Sequence, residues 1–387
     1  MNDYIETKPL FFNPEKLIKQ PQIMYRSQIG GMRFYYSVVD GMFKSYPSVT
    51  TIIDAEMKQP EWLIKWIAEW GYKRALQKRD EAADYGTLFT ICAAQFLKDR
   101  RFDLESLKPR LEVYTSINKI NYPVDLWEYK LREDLYALHQ FIIDYEVEPL
   151  AVEVVLASEK GFAGAVDAVV EMTVGTGVNM RILKADRKYD KKTGELLEDK
   201  TRRVTAIIDW KTGRHGFYRN NEAQLHFYKV LWEENFPHLP IDAIFNWSPK
   251  EWSTDSDSLY NLKEQSGSKE AAKIFNYLNN FLIENAGKGN RPYKVIEGVL
   301  EYGRQNGNLR VETIQDRMTA VKNEPKKEPE PEIDTPKQPT TYKENLGVEK
   351  DAKAQEIPPR NPLLDQTLKN YQQTNSILDT IEDIINK

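Results

Sequence analysis

Asp209 and Lys211 stand two positions apart at the end of an apolar run, and these residue types can carry metal or acid–base chemistry. The run reads Ile207-Ile208-Asp209-Trp210-Lys211-Thr212-Gly213. Because side chains on a strand alternate between its two faces, the carboxylate and the amine would share one face. Taken by itself, this pair is most simply a surface ion pair, which contributes less than about 1 kcal/mol.

Asp167 is a second aspartate in an unusual place, because it lies inside the apolar run 165–170. Aspartate is depleted in strands, and a buried carboxylate without a partner is costly. A divalent cation shared by Asp167 and Asp209 would compensate both charges, and carboxylate, main-chain carbonyl and water oxygens suit Mg²⁺ or Mn²⁺. The pattern predicts a metal site at these aspartates, where Lys211 would orient or deprotonate an attacking water.

Three segments in this order resemble the PD-(D/E)XK nuclease superfamily, and the similarity is closest to its RecB-like and lambda-type exonuclease branch. The segments are Gly161-x-x-Gly164-x-x-Asp167, then 207–213, then Gln224-x-x-x-Tyr228. The resemblance covers roughly residues 46–250. It implies a restriction-endonuclease-like core, in which helices flank a small mixed sheet, within an α/β fold. It also implies a Mg²⁺- or Mn²⁺-dependent deoxyribonuclease that hydrolyses phosphodiester bonds, as an exonuclease of DNA recombination, repair or replication does.

The same resemblance assigns roles to individual residues. The implied catalytic residues are two acids and an amine: Asp167, Asp209 and Lys211. The implied metal ligands are three acids and a main-chain carbonyl: Asp167, Asp209, Glu153 and Trp210. Gln224 and Tyr228, one helical turn apart on one face, would both reach the phosphate backbone of DNA. Arg214, which follows the motif directly, is the expected further contact to phosphate.

One position departs from the family pattern. Many members carry a metal-ligating histidine three residues after a Gly-Thr pair, whereas here Gly86-Thr87 is followed by Thr90 at that position. The departure removes one ligand and leaves an alternative open: a catalytically weak or inactive protein that binds DNA or supports assembly on the same fold. No iron–sulfur cluster is expected, because Cys92 is the one cysteine of the sequence.

Bulk composition sets broad limits on the class of protein. A chain of 387 residues that is 41% hydrophobic can bury a large core. A net charge of −5 means that contact with DNA would depend on a local basic rim. The sequence has no run of eighteen apolar residues, and its first residues lack the basic and apolar segments of a secretory signal. We therefore expect a cytoplasmic protein that does not associate with membranes.

Hydrophobic periodicity predicts the elements that must position these residues. Strand formers over 33–39, followed by Asp40-Gly41, indicate a hairpin. Helices are expected over 61–79, 82–97, 126–145, 221–234 and 268–285. Strands are expected over 151–157, 165–172, 204–210 and, as the last strand, 241–247, with a hairpin arm within 184–203. The tryptophans of the first helix are expected to pack into the core: Trp62, Trp66 and Trp70.

The sequence also predicts three regions. Residues 1–321 form the nuclease-like domain, with its core motifs in 151–250. The segment 322–362 is rich in proline and glutamate and is expected to be a disordered linker. Residues 363–387 carry apolar residues at helical spacing. This helix either folds back on the main domain or binds a replication or recombination protein, and the sequence leaves the oligomeric state open.

Overall fold

The computed structural model describes residues 4–7, 17–22, 24–29, 32–39, 42–58, 61–118, 122–177, 180–182, 186–213, 216–250, 259–286 and 310–311. The strands in these ranges are β1 (Tyr4–Glu6), β2 (Tyr25–Ile29), β3 (Met32–Val39), β4 (Met42–Pro47), β5 (Arg101–Asp103), β6 (Glu148–Ser158), β7 (Phe162–Gly175), β8 (Arg187–Tyr189), β9 (Leu196–Asp199), β10 (Thr201–Trp210), β11 (Ala243–Pro249), β12 (Tyr260–Glu264) and β13 (Arg310–Val311). The helices are α1 (Val49–Glu56), α2 (Glu61–Trp70), α3 (Tyr72–Asp99), α4 (Leu107–Asn118), α5 (Val124–Asp144), α6 (Arg219–Asn235) and α7 (Ile274–Ala286). The protein is therefore a mixed α/β fold, as expected.

A five-stranded mixed sheet forms the centre of the fold, in the order β12-β11-β10-β7-β6. β10 and β11 run parallel, and α6 makes the crossover between them. The other neighbouring strands are antiparallel. The parallel pairing brings the C-terminal ends of β10 and β11 side by side, and Asp209 lies at this end of the two strands.

Helices cover both faces of this sheet. α3, α4 and α5 pack on one face, against side chains such as Ile208 and Phe245. α1, α6 and α7 pack on the other face, against side chains such as Ile207 and Val169. Because strand residues alternate between faces, Asp209 and Asp167 belong to the second face, which α6 covers.

Smaller sheets border this core. β13, β4, β3 and β2 form a four-stranded sheet. Ser48, the residue after β4, forms an isolated β-bridge with Ala163 of β7. β8 and β9 form a separate two-stranded arm between β7 and β10. β1 pairs with β5. In the ranges given above, no helix has the length and apolar character needed to cross a membrane.

Most of the predicted elements are confirmed. The confirmed hairpin and arm are the β3–β4 pair and the β8–β9 pair. The confirmed helices are α5 and α6, and the confirmed strands are β6, β7, β10 and β11. The predicted closing helix is present as a 3-10 turn, Lys269–Ala272, followed by α7.

Two predicted helix boundaries are wrong, and so is the prediction of which strand comes last. The helix predicted over 61–79 ends at Trp70, because Gly71 has a φ of 73° and interrupts the helical backbone there. The helix predicted over 82–97 is the later part of α3, which already starts at Tyr72. The strand predicted over 241–247 is not the last strand, because β12 follows it and pairs with β11.

The expected burial of the tryptophans is also wrong. Trp66 is half-buried, and 38% of the surface of Trp70 is exposed. The side chain of Trp62, the residue Arg214 and the segments 322–362 and 363–387 lie outside the described residues, so the predictions for them stay predictions.

Candidate active site

Asp167 and Asp209 are cross-strand neighbours. The antiparallel register of β7 and β10 runs to the pair Ile208–Ala168, and one further step brings Asp209 opposite Asp167. Residues directly opposed in an antiparallel pair have Cβ atoms about 4.5–5.5 Å apart. The Trp210 amide donates to Asp167 Oδ2 at 2.9 Å, which ties the two strands together at this point. Two carboxylates from separate stretches therefore meet on one face of the sheet.

The same register places other polar residues in a row across the strands. Asn246 pairs with Asp209, and Lys263 pairs with Asn246. On the other side, Glu153 falls between the pairs Val152–Ala168 and Val154–Val166, which puts it opposite Asp167. This polar row, defined as Glu153, Asp167, Asp209, Asn246 and Lys263, crosses all five strands of the central sheet.

Asp209 is fully buried and is held by three polar contacts. Lys211 Nζ lies 2.9 Å from Oδ1 and 2.7 Å from Oδ2. Asn246 Nδ2 donates to Oδ2 at 2.8 Å, and Gln265 Nε2 in turn donates to Asn246 Oδ1 at 3.1 Å. Burial raises the pKa of Asp209, while the charge of Lys211 and the hydrogen bonds from Lys211 and Asn246 oppose that rise. Lys211 and Asn246 are thus the groups that offset part of the cost of burying a charge on Asp209.

Asp167 is less well compensated than Asp209. Burial and the neighbouring charge of Asp209 raise the pKa of Asp167 to about 7. The charge of Lys211 and the hydrogen bond from the Trp210 amide act in the opposite direction but are smaller. The site therefore holds more negative charge than its own cation neutralises, and an additional positive charge would be bound favourably there.

Lys211 is linked to α6 through a chain of hydrogen bonds. Its ammonium donates to Gln224 Oε1 at 3.1 Å, and Gln224 Nε2 lies 2.6 Å from the Tyr228 hydroxyl. Tyr228 is 5% exposed, and burial followed by the charges of Asp167 and Asp209 raises its pKa well above the usual value. Gln224 and Tyr228 share a face of the helix, as predicted. Tyr228 is buried, and its hydroxyl accepts a hydrogen bond from Gln224 instead of projecting into solvent.

Gly164 allows this close approach of α6 to the sheet. A Cβ atom at this position would lie 2.8 Å from Tyr228 Cε1, 3.1 Å from Leu231 Cδ1 and 3.1 Å from Val49 Cγ2. Such distances leave no space for a side chain. The glycine that precedes Asp167 by three residues is therefore required by packing against α6 and α1.

Glu153 has an irregular backbone. Its φ is 54°, in the left-handed region that non-glycine residues occupy rarely and at a cost of about 1–3 kcal/mol. The alternation of faces also breaks here, because Val152 packs toward α3 and α5 whereas Val154 packs toward α6. The Glu153 residue is exposed by its accessible surface, but the protein atoms packed around its carboxyl and the charge of Asp167 raise its pKa, and the nearby cations Lys98 and Arg26 lower it.

The metal ligands that the resemblance implies are only partly brought together. Asp167 and Asp209 are adjacent, and Trp210 ends β10 beside them. Across the part of the chain that the structure describes, no group of three His, Cys, Asp or Glu side chains is close enough to hold a metal ion. Glu153 is next to Asp167 in register but does not complete such a group, so its role as a ligand stays a prediction.

Helix α3 packs close to the chain that follows Lys211. A Cβ atom on Gly86 would lie 3.5 Å from Thr212 Oγ1, so α3 packs against the chain just after Lys211. Thr90 lies one turn further along α3 and is half-buried. The position of the missing histidine is therefore filled by a hydroxyl on the helix that borders the site.

Asn246 and Gln265 are site residues that the sequence motifs did not reveal. Asn246 is completely buried and Gln265 is 3% exposed. A signal for Asn246 is present in the sequence, since it interrupts the apolar run 243–247 in the way that Asp167 interrupts its own run. No comparable signal marks Gln265, which follows the short and polar strand β12.

Comparison of the chain with protein-family models and with curated proteins gives no match to either. The resemblance to the PD-(D/E)XK nucleases consequently rests on the motifs alone.

Proposed function

We propose that the protein is a Mg²⁺- or Mn²⁺-dependent deoxyribonuclease built on a restriction-endonuclease-like core. The observation that carries this proposal is the unbroken hydrogen-bonded chain from Asp209 through Lys211 and Gln224 to Tyr228, beside Asp167 on the same face of the sheet. These five residues come from three separate segments. The hydrogen bonds from Lys211 to Gln224 and from the Trp210 amide to Asp167 join these segments, which supports a single shared site.

The donor set fits a hard divalent cation. Asp167 and Asp209 offer adjacent carboxylates, and burial together with the charge of Asp209 raises the pKa of Asp167 to about 7. These two residues would hold the ion, with the Trp210 carbonyl as the main-chain ligand. Magnesium in proteins is often bound by one or two carboxylates, with waters and substrate phosphates completing the shell. When bound, the cation would supply Lewis-acid activation of the scissile phosphate.

Lys211 is positioned to act on the phosphate and on the attacking water. Its side chain is 25% exposed, and Asp209 and Gln224 hold its ammonium in place. A cation held in advance where negative charge develops stabilises the transition state without reorganisation. Gln224 orients Lys211, and Tyr228 orients Gln224, so we assign Tyr228 a positioning role and not a contact to the DNA backbone.

Cleavage of linear DNA in Mg²⁺ or Mn²⁺ tests the proposal. The variants Asp209→Asn and Lys211→Met should each lose activity by about 10²–10³-fold or more, the usual loss when one transition-state contact is removed. A matched control is the exposed pair Lys108 and Asp125, whose Nζ–Oδ1 distance is 2.8 Å, and Lys108→Met and Asp125→Asn should leave activity unchanged. Equal activity in wild type and both site variants would exclude the assignment.

A comparison of linear and circular substrates shows whether the enzyme cleaves from DNA ends. End-labelled single- and double-stranded DNA should be compared with closed circles of the same sequence. An exonuclease degrades the linear forms and leaves the circles intact, whereas an endonuclease opens the circles.

A second candidate function is a DNA-binding or assembly protein without catalysis. The observation that favours it is the contact of Lys211 with both carboxylate oxygens of Asp209, together with Thr90 at the expected histidine position. An ammonium in that place competes with a metal ion for the same oxygens. Calorimetric titration with Mn²⁺ separates the candidates: no binding heat, combined with retained DNA binding, would favour the non-catalytic protein.

A further inference from the structure

The break between α2 and α3 carries exposed aromatic rings together with basic side chains. Trp70 is 38% exposed and Tyr72 is 70% exposed, and Gly71 between them breaks the helix. Arg74 Cζ lies 4.7 Å and Lys78 Nζ 4.2 Å from the centre of the Trp70 ring. We define Trp70, Tyr72, Arg74 and Lys78 as the aromatic–basic patch.

The local charge of this region has the opposite sign to that of the whole chain. Residues 61–81, from the start of α2 to just beyond the patch, contain five basic and four acidic residues, a net charge of +1, while the chain as a whole carries −5. Arg79 pairs with Asp80, whereas Arg74 and Lys78 lie over the Trp70 ring. Such a surface is complementary to a polyanion.

Exposed aromatic rings favour a single strand over a duplex as the occupant. In a duplex the faces of the bases are covered by their neighbours, so a protein reaches the phosphates and the base edges but no base face within the helix is free to stack on an aromatic ring. A single strand can place its bases on aromatic rings while its phosphates contact lysine and arginine. We infer that the aromatic–basic patch binds a single-stranded segment of DNA, with a base stacked on Tyr72 and the phosphates beside Arg74 and Lys78, which lie over Trp70.

Helix α3 connects the patch rigidly to the site. Gly86 on α3 packs against Thr212, next to Lys211. At about 1.5 Å of rise per residue, Lys78 lies about 12 Å and Tyr72 about 21 Å along the helix from Gly86. A stacked strand advances about 3.4 Å per nucleotide, so about four to six nucleotides would span this distance. The inference rests on the proposed function for its choice of DNA, and it adds a strand-holding surface that no motif indicated.

Binding of labelled oligonucleotides without any divalent cation tests the patch apart from cleavage. The probes are fluorescent dT₁₂, fluorescent dT₃ and a blunt 12-base-pair duplex, measured by anisotropy in EDTA at 50–200 mM KCl. Tyr72→Ala should weaken binding of dT₁₂ by about 5- to 150-fold, the range for loss of one stacked base. The double variant Arg74→Gln/Lys78→Gln should lower the slope of log affinity against log salt by about 1.4, since each phosphate contact contributes about 0.7.

A matched control exists elsewhere on the surface. Arg101 Cζ lies 4.4 Å from the centre of the Tyr4 ring, which is 40% exposed. Tyr4→Ala and Arg101→Gln should leave dT₁₂ binding unchanged. Tyr72→Ala should also leave affinity for the duplex within about twofold of wild type, whereas dT₃, which is too short to reach from the patch to the site, should bind wild type more weakly than dT₁₂ does.

Two results would overturn the inference: patch variants that bind dT₁₂ as tightly as wild type, or control variants that weaken it equally. Because Tyr72 is mostly exposed, its replacement tests the patch even where Trp70→Ala disturbs α2. The failure of the two proposals can be distinguished. Loss of dT₁₂ binding in the patch variants, with no cleavage by wild type in Mg²⁺ or Mn²⁺, would retain the patch and reject the nuclease; cleavage by wild type with unchanged binding by the patch variants would do the reverse.

Discussion

Replacement of Asn246 tests the support behind Asp209. The variant Asn246→Leu keeps a similar volume but removes the 2.8 Å hydrogen bond to the Asp209 carboxylate. A hydrogen bond to a charged group contributes about 1.5–3 kcal/mol, and an unsatisfied buried donor costs about 1–3 kcal/mol. The donor left without its partner would be Gln265 Nε2, which now donates to Asn246 Oδ1. We therefore expect the free energy of unfolding to fall by about 2.5–6 kcal/mol.

A double-mutant cycle separates the two contributions. In the Asn246→Leu background, Gln265→Met replaces the unsatisfied amide by an apolar side chain of similar length. The double variant should be no less stable than Asn246→Leu alone, with a coupling of about 1–3 kcal/mol between the two sites. Urea unfolding of all four proteins at pH 7 measures this coupling. Strictly additive losses would show that the two amides do not act as one unit.

A control variant in the same sheet is Asn261→Leu. Its side chain is half-buried and donates to Ser248 Oγ at 3.3 Å, with no charged partner. The loss there should stay within about 1.5 kcal/mol, the usual value for a neutral hydrogen bond. A loss at Asn246 no larger than this would refute the reasoning about the buried charge.

Further predictions concern the acid pair, the packing of α6 and the tail. Because the pKa of Asp167 is raised from 3.8 to about 7, the folded protein binds more protons than the unfolded chain between these pH values, and the contribution of Asp167 to stability falls as pH rises through that window. Asp167→Asn should thus be more stable than wild type in urea at pH 8, with the difference shrinking toward pH 4. Saturating Mn²⁺, at about 100 times its dissociation constant, should stabilise wild type by about 2.7 kcal/mol in thermal unfolding but leave Asp167→Asn unchanged. Gly164→Ala should cost about 1–3 kcal/mol through overpacking against Tyr228, whereas Gly267→Ala, with no atom within 4 Å of the added Cβ, should stay within about 0.5 kcal/mol in the same assay. Deletion of 322–387 should leave cleavage of naked DNA unchanged. A loss of cleavage would show that these residues are needed for activity.

The sequence predicted the central acids well because strand periodicity is a strong constraint. Asp167 and Asp209 each interrupt an apolar run, and the alternation of faces is sufficient to put both on the side of Gln224. Asn246 carries the same signal. Its role emerges only from the parallel pairing of β10 with β11, which local sequence does not specify.

Other features could not be predicted because they depend on contacts between distant residues. The segment Tyr260-Asn261-Leu262-Lys263-Glu264 is too short and polar to indicate a strand. It forms β12 because it pairs with the otherwise unpaired side of β11. The tryptophans of α2 form an amphipathic pattern that is compatible with either a buried or an exposed face. The left-handed backbone of Glu153 likewise has no sequence signal, since glutamate rarely adopts that conformation.

The polar row also protects the chain against misfolding. If β7 slipped by one residue against its neighbours, every one of its side chains would exchange faces. Asp167 would then enter the aromatic interior around Phe141 and Trp247, where an ionised carboxylate is strongly disfavoured. Correct strand alignment is thus enforced by the same carboxylate that the site requires, and a protein that aligns wrongly loses stability and chemistry in a single step.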